Sequence, residues 1–287
     1  MKLAKYRDEK GETRVGAVES GRLKPLRRGT SLSAIFNADR PKEATEAALE
    51  HGAESIDFER ATILAPIDEQ EVWGAGVTYQ RSKEAREEES DQAATFYDQV
   101  YRADRPELFF KAMSSRVVGP NGAIRVRGDS TWSVPKPELA LVLTKDLKLV
   151  GYTIGNDVSA RDIEGRNPLY LPQAKVYDAC CALGPVIVLA DELPASETIG
   201  IRLTIERDGS KAFEGATTAA KMARSFAELI DWLGRENVFP NGAILLTGTG
   251  IVPPDDFTLK NGDQVRIEID GVGTLVNSVI QAKGKGD

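Results

Sequence analysis

Two acids interrupt apolar sequence where chemistry is possible. Glu138 opens ELALVL, and Asp157 follows GYTIGN, so each is joined to a run that reads as a buried strand. If those strands pair side by side, both carboxylates reach one rim of a sheet. Carboxylates converging on a partly buried rim repel unless a cation or a proton lies between them. Their hard oxygens suit Mg²⁺ or Mn²⁺. The plainer alternative is that each acid caps a turn or pairs with an arginine, which composition alone favours. Lys136 stands two residues before Glu138.

Other reactive types gather around this pair. VSARDIEG after Asp157 carries Ser159, Arg161, Asp162 and Glu164, and Lys175 lies in the otherwise uncharged LYLPQAKVY. TGTG at 247–250 follows an apolar strand, where hydroxyl and backbone N–H groups could reach an anion or a metal-bound water. Taken singly, each has a structural explanation. Lys175 could pair with Asp178, Glu107 could cap the segment after Pro106, and Glu164 could be a turn acid beside Gly165. GAGVTYQRS at 74–82 is rich in glycine, but no βαβ unit follows, so it is weak evidence for a nucleotide.

The elements that must position these groups are mostly strands. After Pro106, LFFKA, IRVRG, ELALVLT, KLVGYTIG, ALGPVIVL, IRLTIERD, AILLTG, DQVRIEID and TLVNSVI read as β. Asn-Gly at 121–122, 241–242 and 261–262 and Asp-Gly at 208–209 signal tight turns. The spacing of Met222, Phe226, Ile230 and Leu233 predicts an amphipathic helix over 219–235. Residues 82–102 read as a charged helix, mostly solvated. Short strands in KLAKYRD, TRVGAVES and RLKPL, then a helix at 42–51, suggest a small N-terminal α/β module over 1–67. Residues 68–287 form the larger domain. The fold class is α+β and rich in sheet.

Composition excludes much else. The net charge is −7 and the basic residues are scattered, which argues against nucleic acid and membrane surfaces. No apolar run approaches the ~20 residues of a membrane helix, and MKLAKYRDEKGETR has no apolar signal-peptide core. A cytoplasmic protein is expected. Cys180 and Cys181 are adjacent and in apolar surroundings, so two buried thiols are expected rather than a disulfide. The single histidine, His51, lies on an expected surface helix, which leaves little room for a Ser–His, Cys–His or zinc hydrolase site.

GYTIGNDVSARDIEG, PELALVL, ELFFKA and ILLTGTG together resemble the fumarylacetoacetate hydrolase family, over roughly 68–280. The resemblance implies a mixed β-roll with Mg²⁺ held by carboxylates in E-x-E…D order, acting on 2-oxo acids. It places Glu138 and Asp157 as metal ligands and Lys175 as the active-site lysine. It also places Glu107 and Glu164 as candidate acids or bases, and Tyr79, Ser82, Lys111, Arg161 and Thr249 against the substrate. Two positions depart from the family pattern. Lys136 replaces the first Glu of E-x-E, and Tyr79-Gln80-Arg81-Ser82 lacks the histidine that family hydrolases carry in a Tyr-x-x-His segment. Without that base, hydrolysis of a C–C bond is disfavoured.

GAGVTYQRSKEAREEES, RPELFFKA and GRNPLYLPQAKVYDACCALGP resemble the family's 2-keto-3-deoxy-pentonate dehydratase branch. The expected reaction is Mg²⁺-dependent loss of water from a 2-oxo sugar acid of that type to give 2,5-dioxopentanoate. Lys175 would act as base or as a cation beside the enolate, and a homodimer or homotetramer is implied. The alternatives are a family hydrolase or decarboxylase, or a non-catalytic 2-oxo acid binder that keeps the pocket with Lys136 in place of a ligand.

Overall fold

The computed structural model describes residues 1–81, 99–193 and 198–281. Among these, a twelve-stranded sheet runs through Ile56–Asp57, Arg22–Pro25, Thr13–Glu19, Lys2–Arg7, Cys181–Leu189, Leu149–Asp157, Pro137–Leu143, Ala243–Leu246, Glu71–Gly76 and Glu107–Met113 in spatial order, with Thr62–Leu64 pairing Lys2–Arg7 and Val117–Val118 pairing Cys181–Leu189 beside this path. The N-terminal strands thus join the same sheet, Lys2–Arg7 pairing antiparallel with Cys181–Leu189. A second, five-stranded sheet orders Ser210–Thr218, Gly200–Arg207, Gln264–Ile269, Gly273–Gln281 and Ala123–Val126. No described helix is long and apolar enough to cross a membrane.

Residue pattern explains which strand sits where. Gly200–Arg207 alternates buried and exposed positions, as a strand covered on one face must. Pro137–Leu143 and Cys181–Leu189 are buried at every position. One face of the large sheet packs Leu139, Ile154 and Val186 against Leu203, Ile267 and Leu275 of the small sheet. The other face packs Val142, Ile187 and Ile244 against Leu32, Ile35 and Phe36. Both thiols are buried and free. Glu138 therefore enters a strand with no solvent face, where an acid persists only with polar partners.

Two readings from sequence need correction. The helix expected over 219–235 is an α-helix only over Phe226–Gly234, preceded by a 3₁₀ turn at Ala219–Lys221. Between them Met222 bridges Tyr79, and the Ala223 N–H donates to the Thr78 carbonyl at 2.8 Å. This ties the segment to the strand end that carries Tyr79 and prevents a continuous helix. Ser225 then caps the true start through the Glu228 N–H. The helix expected at 42–51 spans Pro41–Ala48 and ends before His51, which is exposed. A strand not read from sequence, Ser210–Thr218, returns from the Asp208-Gly209 turn, both residues of which have positive φ. The charged helix read over 82–102 lies mostly outside the described residues.

Candidate active site

Strand pairing brings the two acids together. Pro137–Leu143 and Leu149–Asp157 run antiparallel with Glu138 opposite Gly155, so the start of one strand and the end of the next share a rim. Glu138 is 2% exposed and Asp157 1%. Both line one cavity with Lys136, Arg161, Lys175 and Thr249, closed by apolar groups that include Phe109, Val134 and Ile251.

Asp157 is held by two buried ammonium groups. Lys111 Nζ stands 2.7 Å from Oδ1 and Lys175 Nζ 2.6 Å from Oδ2. Burial alone would push Asp157 up, but Lys111, Lys175 and Lys136 outweigh it and hold the carboxyl well below the usual carboxylate range. Burial would pull Lys111 down; the Asp157 charge reverses this and holds it above the usual lysine value. Lys111 also donates to the carbonyls of Val158 (2.8 Å) and Lys175 (2.7 Å), which hold its ammonium in place beside the carboxylate. Lys175 further donates to Ser159 Oγ at 2.7 Å and lies 4.8 Å from the Phe109 ring centroid.

Glu138 is placed differently. Burial and the nearby Asp157 charge push its carboxyl up to about 8, against the pull of Lys136, the Gly248 N–H and Lys175. The Gly248 amide donates to Oε2 at 2.6 Å. Gly248 has φ +90°, and a Cβ there would stand 2.0 Å from Thr78 Oγ1, whose hydroxyl donates to the Thr247 carbonyl. Only glycine lets the TGTG turn bring its amide to the acid. Gly248→Ala is expected to cost ~1–3 kcal/mol of stability and to lower turnover together with it. Urea unfolding and a kinetic assay on the same preparation check this.

The structure brings some expected residues into the cavity and sets others behind it. Glu138, Asp157, Arg161, Lys175 and Thr249 line it. Lys111, expected against substrate, instead stands behind Asp157, fully buried. Glu107 lies beside the lining residue Gly76, whose missing Cβ leaves room for its carboxylate, and Glu107 Oε2 is buried without a hydrogen-bond partner among the described residues. Glu164 accepts from Arg161 Nη1 at 2.5 Å, with the guanidinium 5.7 Å from the Trp132 ring centroid. The Tyr79 ring packs against Gly250, and burial followed by the Glu138 charge pushes its hydroxyl above the usual value. Ser82 lies outside the described residues. Sequence reading missed Phe109 as part of the site, for which the FFK triplet was the available signal. It pointed the TGTG backbone N–H groups at an anion or a metal-bound water, whereas the Gly248 amide donates to Glu138.

The site suits a hard divalent cation. Burial first and the Asp157 charge second raise the Glu138 carboxyl, and a cation between the two acids would relieve both. Among the described residues no group of three or more Asp, Glu, His or Cys side chains is arranged to hold a metal ion. Mg²⁺ is commonly held by only one or two carboxylates, with water and substrate oxygens filling the rest. Asp157 Oδ2 accepts from Lys175 and, at 3.4 Å, from Ser159, while Oδ1, in ion-pair range of Lys111, is buried without a hydrogen-bond partner among the described residues and is the oxygen open to an ion.

Residues 71–280 match the family model described as fumarylacetoacetate (FAA) hydrolase C-terminal. A probable 2-keto-3-deoxyxylonate dehydratase of Haloferax volcanii is 51% identical over 235 residues, 81% of this chain and 81% of that protein. A 2-dehydro-3-deoxy-D-arabinonate dehydratase of Saccharolobus solfataricus is 49% identical over 228 residues, 78% of this chain and 76% of that protein. A solved structure of 2-keto-3-deoxy-D-arabinonate dehydratase complexed with magnesium and 2,5-dioxopentanoate superposes with a TM-score of 0.88 at 39% identity, covering 99% of this chain and all of that one.

Proposed function

Because this chain belongs to the fumarylacetoacetate hydrolase family, we propose that its cavity performs Mg²⁺-dependent dehydration of a 2-keto-3-deoxy-pentonate to 2,5-dioxopentanoate. The observation that carries this is the pairing of buried Glu138 and Asp157 with Lys175 in one cavity, in a chain whose single histidine is exposed elsewhere. Such a site can hold an oxo acid and move protons, but it has no imidazole to activate water for hydrolysis.

Glu138 and Asp157 would hold the ion, which when bound polarises the 2-carbonyl and makes a C3 proton removable. Arg161 and Thr249, on the cavity wall, would take the substrate carboxylate. Lys175 is fixed by Asp157 and Ser159, and keeps a positive charge beside the carbonyl oxygen as negative charge develops there. Elimination then breaks the C3–H and C4–O bonds: the Glu107 carboxylate, whose Oε2 is buried without a hydrogen-bond partner among the described residues, is the group we assign to take the C3 proton and return it to the C4 oxygen, which leaves as water, with Glu164 as the second candidate. The same carboxylate would then carry a proton from C5 back to C3, and the resulting C4–C5 enol tautomerises to the aldehyde. Phe109, Val134 and Ile251 keep bulk water from the intermediate.

Glu107→Gln is expected to lower turnover by about 10²–10⁴-fold with substrate affinity little changed, read as a fall in kcat at near-constant KM. The whole reading is tested by following 2,5-dioxopentanoate from 2-keto-3-deoxy-D-arabinonate and from its C4 epimer, with Mg²⁺ and with EDTA. Product from neither acid, by folded protein, would overturn it. We further infer a cytoplasmic role in pentose catabolism and assembly as a homodimer or homotetramer, which sedimentation would check.

A further inference from the structure

Val77 is bent in a way its side chain resists. It stands in GAGVTY at φ +52°, where strand Glu71–Gly76 stops. A branched Cβ crowds the backbone in that left-handed region, so such residues rarely enter it. Ser20, Asn121 and Asp208, which also have positive φ, sit in turns, and each precedes a glycine. Val77 instead is 4% exposed and lines the cavity. Strain of this kind persists only where the surrounding bonds over-determine it.

Those bonds belong to the next residue. Thr78 is fully buried; its hydroxyl donates to the Thr247 carbonyl at 2.6 Å, and its carbonyl accepts from the Ala223 N–H at 2.8 Å. An extended Val77 would leave residues 76 and 78 on one face of the sheet. The left-handed residue breaks that alternation. Gly76 stays against the Glu107 carboxylate, while Thr78 Oγ1 fills the space where a Cβ on Gly248 would stand.

The Thr247 carbonyl and the Gly248 N–H are two ends of one peptide group. Thr78 donates to the first, and the second donates to Glu138 Oε2 at 2.6 Å. A hydrogen bond accepted at one end of a peptide polarises it and strengthens the bond given at the other. Thr247 is also tied beside the acid, because its N–H (3.2 Å) and its hydroxyl (2.8 Å) both donate to the carbonyl of Leu139, the residue after Glu138.

We propose that Thr78 is a positioning residue for Glu138 and acts through this single peptide group. Its hydroxyl fixes and polarises the Thr247–Gly248 peptide, the Gly248 N–H then holds the Glu138 carboxylate in place for the divalent ion, and the left-handed Val77 is the conformation that delivers the hydroxyl. The proposal rests on the reading of Glu138 as a metal ligand.

Free Mn²⁺, followed by electron paramagnetic resonance, reads affinity without turnover. Thr78→Val keeps the shape of the side chain and removes the hydroxyl. It is expected to weaken Mn²⁺ binding about tenfold, the lower end of what the partner of a metal ligand is worth. Thr78→Ser returns the hydroxyl and should bind within about threefold of wild type. Glu138→Gln alone should weaken binding, and adding Thr78→Val to it should change the affinity by less than about threefold, because residues acting through one contact are not additive. Urea midpoints in EDTA separate this from a fold defect. A purely structural Thr78 would lower the midpoint of Thr78→Val and leave the Mn²⁺ affinity of the folded protein at the wild-type value. That result would overturn the proposal, as would an equal loss with and without the Glu138 carboxylate. Wild-type affinity in Glu138→Gln would instead defeat the ligand reading, whatever Thr78→Val shows, and the proposal would fall with it.

Discussion

Asp157→Asn is expected to destabilise the fold by ~3–5 kcal/mol, the usual consequence of stranding buried charge. Asp157 sits between Lys111 and Lys175, which are 0% and 1% exposed. An amide can accept from one ammonium, but it turns its NH₂ toward the other. Neither lysine can swing to water, because Lys111 is bound to two backbone carbonyls and Lys175 to Ser159. The loss should appear as a lower urea midpoint with an unchanged slope. Adding Lys111→Met should recover part of it, since one stranded charge is then gone. An unchanged midpoint in the single variant would show that Asp157 is not what compensates the two lysines.

Glu138→Gln should move activity and stability in opposite directions. Partners that only support a metal ligand are worth about 10–100-fold, so loss of a ligand itself is expected to cost at least ~10²-fold in turnover. In metal-free protein the same change should stabilise. The folded carboxyl titrates near 8, above the ordinary glutamate value of 4.5 that applies to the unfolded chain. Below that lower value both states are protonated and the group has no effect. As pH rises toward 8 the unfolded state ionises while the folded state holds its proton, so folding loses stability through this window and no further above it. Glu138→Gln lacks the titration. Its advantage over wild type in EDTA should widen from pH 5 to pH 8 and then level off. Urea midpoints at those values check the sign, and a constant gap would refute the assignment.

Sequence made some of this legible and concealed the rest, for identifiable reasons. Glu138 and Asp157 stood out because each acid is joined to an apolar run and other reactive types gather around them, which outweighed the structural roles that composition alone favours, and their strands were readable from continuous hydrophobicity. The family and its dehydratase branch were legible from the same segments, and relatives at about half identity agree with both. Lys111 was misplaced because a lysine in ELFFKAM reads equally as a charge facing substrate or one tied to backbone, and only the fold shows which carbonyls surround it. The TGTG amides were legible as donors, but that the Gly248 N–H meets Glu138 depends on strands 110 residues apart. The helix before Phe226 was overextended because apolar spacing carries no record of the Met222 and Ala223 bonds to the neighbouring chain. Strand Ser210–Thr218 was missed because SKAFEGATT has few branched or aromatic residues, although Asp208-Gly209 marked its start.

The bonds that assemble the site are long in sequence. Lys111 reaches the Lys175 carbonyl across 64 residues, and Gly248 reaches Glu138 across 110. Each closes a loop whose entropy must be met before the contact repays it. The hairpin of Pro137–Leu143 and Leu149–Asp157 and the following turn to Lys175 can bring the two acids and one lysine together locally, but no local fragment can add Lys111 or the Gly248 amide. During refolding, helix Phe226–Gly234 and the Asp208-Gly209 hairpin can form early from neighbouring residues. The carboxylate rim completes only when strands from the far edge and the middle of the large sheet have docked. Recovered activity is thus a late clock for this chain: it should lag the return of secondary structure and coincide with burial of the last core residues.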